Sequence, residues 1–125
     1  IEYRGSVPNE EIREALKKAH IFAYPSIWQE TSCIAALEAM SARCAVVCPN
    51  YAALAETVND FGLMYQWHED PTVHANRHLQ LLDAAITDKN NPRHMDKLNF
   101  QKIYVDNFYS WDSRIIEWEN MLRNL

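Results

Sequence analysis

Glycine is nearly missing from this 125-residue chain, which has only Gly5 and Gly62, so neither a flexible linker nor a low-complexity segment is present. No apolar run approaches the roughly 20 residues that a membrane-spanning helix needs. The first residues, Ile1-Glu-Tyr-Arg-Gly5, lack the charged and apolar regions of a secretory leader. Cysteine is scarce and odd in number: Cys33, Cys44 and Cys48 sit in apolar runs without metal-type spacing, which implies buried thiols in a reducing, cytoplasmic setting. Positive charge is also short, with 12 Lys and Arg against 17 Asp and Glu and a formal charge of −5, which argues against nucleic acid as a partner. A diphosphate ligand would then have to be gripped mainly by helix-end amides.

What remains is 48% hydrophobic, enough for one domain with one core spanning 1–125, and no internal repeat divides it. Short apolar runs alternate with helical periodicity. Ile1–Gly5 reads as a strand entered midway, as though the chain began inside a fold, and Pro8-Asn9 opens a helix to about Ala19. His20–Tyr24 and Ala45–Cys48 are each apolar and each closed by a proline, as buried parallel strands are. A helix from Ser32 to Ala42 lies between them, and a shorter one from Ala52 to Val58 precedes a last strand, Leu63–Tyr65. The fold class is therefore α/β, a Rossmann-like parallel sheet flanked by helices up to about residue 66.

From 71 to 125 the pattern is helical: Thr72–Thr87, Pro92–Asn107, and a helix capped by Ser110 in which Trp111, Ile115 and Trp118 recur as a core stripe. His74 and His78 stand four apart, near Glu69 and Asp70. Without a third ligand at telling spacing they read as a solvated helix face rather than a zinc site, and no metal is expected.

Chemistry concentrates in Tyr24-Pro-Ser-Ile-Trp-Gln-Glu30-Thr-Ser-Cys-Ile-Ala-Ala-Leu-Glu38, which runs strand, loop, helix. Glu30 closes the loop, just ahead of the helix-start amides of Thr31, Ser32, Cys33 and Ile34, which have no intrahelical partners and suit an anion. Glu38 lies in a helix apolar nearly all round. Its carboxylate needs either a buried partner or a cleft, and two adjacent ribose hydroxyls match its two acceptor oxygens. A surface carboxylate beside a lysine is the plainer alternative.

Glu30-x7-Glu38, set between Pro25-Ser26 and Ala36-Leu-Glu-Ala-Met40, resembles the motif of retaining glycosyltransferases of the GT-B fold, family 4. Tyr3-Arg-Gly-Ser-Val7, Ala45-Val-Val47, Ala53-Leu-Ala-Glu56 and Phe108-Tyr-Ser-Trp111 extend the likeness along the chain in the family's order. The resemblance implies the C-terminal, donor-binding domain of such an enzyme, truncated on its N-terminal side. It implies that Glu30 contacts the donor hexose, that Glu38 binds the ribose, and that the amides after Glu30 cradle the diphosphate, with Ser26 in the same loop. Transfer would retain anomeric configuration without a metal or other cofactor. An acceptor-binding N-terminal domain is the implied partner, without which this part alone would be inactive, and the open sheet edge invites self-association. Arg43, Ala52 and Ala55 depart from the family's glycine, glycine and proline. A left-handed backbone at Arg43 would cost about 1 kcal/mol, and a domain that kept the fold but lost turnover is the competing reading.

Overall fold

The computed structural model describes all 125 residues. Its elements run α1 (Asn9–Leu16), β1 (Ile21–Ala23), α2 (Ile34–Ser41), β2 (Ala45–Asn50), α3 (Leu54–Val58), a 3-10 turn (Asn59–Phe61), β3 (Leu63–Gln66), α4 (Pro71–Asp88), α5 (Pro92–Phe108) and α6 (Trp111–Arg123). The three strands form one parallel sheet in the order β1-β2-β3, with Ile21 opposite Ala45 and Val47 opposite Leu63. Each crossover carries a helix, as a parallel sheet requires.

β2 is central, and its residues Ala45 to Pro49 are all buried. Alternate side chains face opposite sides, so Val46 and Cys48 join Met40, Ala36 and Leu54 in one core cluster, while Val47 turns toward the face covered by α4. Burying each large apolar side chain contributes about 1.5–3 kcal/mol. Pro49 was expected to end the strand. It does not, because β1 stops at Ala23, opposite Val47, and Pro49 lies beyond the last residue paired on that side.

The ends of the helices show why α2 differs from the C-terminal ones. Asp70 accepts from the amides of Thr72 and Val73 ahead of α4, Asn91 from Arg93 ahead of α5, and Ser110 from Ser113 in α6. α2 has no such side-chain cap. Its other end is closed with care: Cys44 N–H reaches Ala39 O at 2.9 Å and Arg43 N–H reaches Met40 O at 3.1 Å, a Schellman closure with Arg43 at φ 65°. The left-handed conformation expected at Arg43 is present, and Ala52 shares it at φ 49°. From α5, the fully buried Gln101 donates through Nε2 to the carbonyls of Met40 and Cys44, tying the tail to the same helix end.

Three expectations are corrected. Ile1–Gly5 is not a strand: these residues are exposed and β1 pairs only with β2, so nothing offers them a ladder. Trp111, Ile115 and Trp118 are not core. Trp111 is 82% and Trp118 60% exposed, and α6 buries no residue, because helical spacing aligns apolar residues on one face without providing an element for them to face. His74 and His78 are not solvated either. Both are buried against Tyr65, whose ring meets them edge-on. No helix is long and apolar enough to cross a membrane.

Candidate functional site

In open parallel sheets ligands bind beyond the carboxyl ends of the strands. Here three loops leave that end, and they are stitched together. The amide of Ala53, after β2, donates to the carbonyl of Glu30, after β1, at 3.2 Å. Gln29 Nε2 donates to Tyr51 Oη at 3.0 Å, and Tyr51 stacks on Trp67, after β3, with ring centroids 4.4 Å apart. His74 Nε2 lies 3.0 Å from Tyr65 Oη and 3.4 Å from the carbonyl of Pro25, which links the β1 loop to α4.

Glu30 is half-buried on this platform, and its Oε1 accepts the Tyr24 hydroxyl at 2.5 Å. That hydrogen bond, followed by burial, pushes the Tyr24 phenol up to about 12, so the ring remains a donor and orients the carboxylate. Ser26 Oγ accepts from the Trp28 amide at 3.2 Å, which bends the loop before Glu30. Thr31, Ser32 and Ile34 are exposed, whereas Cys33 is buried at the N-cap position. The helix starts two residues later than the sequence pattern implied. The consequence is a longer set of bare donors: no amide from Thr31 through Ala36 finds an acceptor within the chain, the first bonded one being Leu37 N–H to Cys33 O.

Glu38 sits one turn into α2 with its side chain 22% exposed. Its partner is neither a lysine nor a residue of α2. Oε1 accepts from Arg13 Nε and Nη2, both at 3.3 Å, and from Asn9 Nδ2 at 3.4 Å, all reaching over from α1, while Oε2 has no partner. The contacts are long for hydrogen bonds, though those from Arg13 form an ion pair, and Oε2 is left open to a further donor. Glu38 lines two neighbouring clefts of about 510 and 490 Å3, between α1, α2 and the α5–α6 corner, and Glu30 lines neither. Sequence reading missed Tyr24, Arg13, Asn9 and His74 as supporting residues. Tyr24 alone had a local signal, as a hydroxyl at the strand end six residues before the acid.

A three-stranded parallel sheet flanked by helices, with joined loops at its carboxyl end, defines a Rossmann-like α/β protein. Residues 1–101 match the family model described as glycosyl transferases group 1, and the chain belongs to that family. Over 64 residues it is 41% identical to the O-antigen chain mannosyltransferase B of Escherichia coli, a stretch covering 51% of this chain and 16% of that protein. The chain thus aligns with only a small part of this curated relative's length. No solved structure matches it significantly.

Proposed function

We propose that the chain is the donor-binding part of a retaining glycosyltransferase that moves a hexose from a nucleoside diphosphate to an acceptor. The observation that carries this reading is the run of amides from Thr31 to Ala36 without acceptors, at the leading end of a helix directly after Glu30, with Thr31, Ser32, Ile34 and Ala35 exposed and Cys33 and Ala36 buried. A diphosphate seated there gains several backbone hydrogen bonds and the positive end of the α2 dipole. Glu30, held by Tyr24, accepts hydrogen bonds from the hexose, and Glu38 takes the ribose hydroxyls with its open Oε2. At 1.5 Å rise per residue, the Ile34-to-Glu38 turn spans about 6 Å, a distance that one extended nucleotide sugar covers.

Catalysis on this reading is positioning plus stabilisation of the departing diphosphate, with no metal and no paired glycosidase-type acids. A separate N-terminal domain binds the acceptor, and an Arg and a Lys upstream of residue 1 complete the phosphate site, as the resemblance implies. The likeness to a mannosyltransferase makes mannose the first sugar to test. Three unpaired buried thiols suit a reducing cytoplasmic compartment, and the short edge strand β1 is where copies would associate.

The left-handed backbone of Ala52, beside the amide that holds Glu30, favours a second reading, a binding module that has lost turnover. Calorimetric titration with UDP, GDP and ADP separates the two. Donor binding predicts a saturable isotherm for one base, weakened at least about tenfold (about 1.4 kcal/mol) in Glu38→Ala. Absence of binding to all three nucleotides defeats the donor reading and leaves the module.

A further inference from the structure

The overall charge of −5 conceals a basic pocket at the opposite end of the sheet. A cavity of about 230 Å3 is lined by Lys17, Lys18, His20, Arg43, Lys89 and His94, and the rest of its lining is apolar. No carboxylate lines it. The chain places it where segments enter the sheet: the end of α1, the residue before β1, the turn before β2 and the α4–α5 connection. The Glu30 loop, Tyr51–Ala53 and Trp67 all leave from the other end.

Part of this charge serves the helices. The C-termini of α1, α2 and α4 converge here, each carrying roughly half a negative charge, which cations offset. Lys17 also pairs with Glu14 outside the cavity, and Asp88 is engaged by Asn91. With Lys17 offset by Glu14, the three remaining formal charges of Lys18, Arg43 and Lys89 still exceed the roughly one and a half negative charges that three helix ends supply. Arg43 adds an independent sign. It holds a left-handed backbone that disfavours every side chain but glycine's, and its guanidinium forms no salt bridge or hydrogen bond, although its charge reaches Asp106 and helps hold that carboxyl low. Lys17, Lys18, Arg43 and Lys89 are exposed, so an anion reaches them from solvent and is attracted by several charges at once.

We propose that this pocket binds a phosphate group, and its volume suits a small phosphate or a single headgroup rather than a polymer. The test is amide-resolved NMR titration of the 125-residue chain with inorganic phosphate, at ionic strength held constant with chloride. A second arm measures co-sedimentation with phosphatidic acid vesicles, against neutral phosphatidylcholine vesicles. The proposal expects saturable shifts in Lys18–Ile21, Arg43–Cys44 and Lys89–His94, or retention on the anionic vesicles alone, the two arms telling free phosphate from a lipid headgroup. Either signal must fall at least tenfold in Arg43→Gly combined with Lys89→Ala. Arg43→Gly relieves the left-handed strain, so a loss of binding in it is not a loss of fold, and far-UV circular dichroism checks this. Shifts confined to Thr31–Ala36, binding unchanged in the double variant, or no binding in either arm overturns the proposal.

Discussion

Cys48 is fully buried in the central strand, and burial, with the nearby Cys33 thiol, pushes its own thiol from an ordinary 9.0 up to about 12. Tyr65 moves the same way, from 10.0 to about 12, through burial first and the Cys48 neighbour second. Both groups are neutral when protonated, and both folded values lie above the unfolded ones. The stability they contribute is therefore fully present below about pH 9 and is lost as pH rises toward 12. The urea midpoint should hold steady to pH 8 and fall by pH 10.5, and fall less in Cys48→Ala; a midpoint flat to pH 10.5 contradicts the assignment. Some single residues were legible in the sequence and others were not. The left-handed turn at Arg43 followed from the resemblance, since Arg43 stands where the family has a glycine between helix and strand, and a helix-ending glycine usually takes that conformation. The partner of Glu38 did not, because Arg13 comes from another helix 25 residues earlier. His74 and His78 misled for the same reason: their spacing says that they share a face, and only Tyr65 says that the face is buried.

Among the elements, the β1–α2–β2 unit was readable because apolar runs, prolines and periodicity all agreed there. The two ends of the chain were not. A strand exists only with a neighbour to pair with, and an apolar helix stripe becomes core only beneath another element; Ile1–Gly5 lacks the first and α6 the second. The anchoring of α5 was also invisible, since Gln101 reads as an ordinary polar residue. Its amide serves two carbonyls at the closed end of α2, so Gln101→Leu leaves Met40 O and Cys44 O short of a buried donor. We expect a loss of about 1–3 kcal/mol in chemical denaturation. A loss below about 0.5 kcal/mol would mean that α5 is held by apolar contacts alone.

At the scale of the molecule, two ends of one sheet carry opposite character. The carboxyl end has three stitched loops, an oriented acid and bare amides; the amino end has converging helix C-termini and excess cations. The chain belongs to the group 1 glycosyltransferases; the donor-binding role proposed above uses the first end and leaves the second unassigned. The central claim is that the uncapped start of α2 grips a diphosphate, and amide NMR of the chain during titration with a nucleoside diphosphate tests it most directly. Saturable shifts centred on Thr31 to Ala36, reduced in Glu38→Ala, are the predicted result. Binding that leaves those six amides unmoved would contradict it.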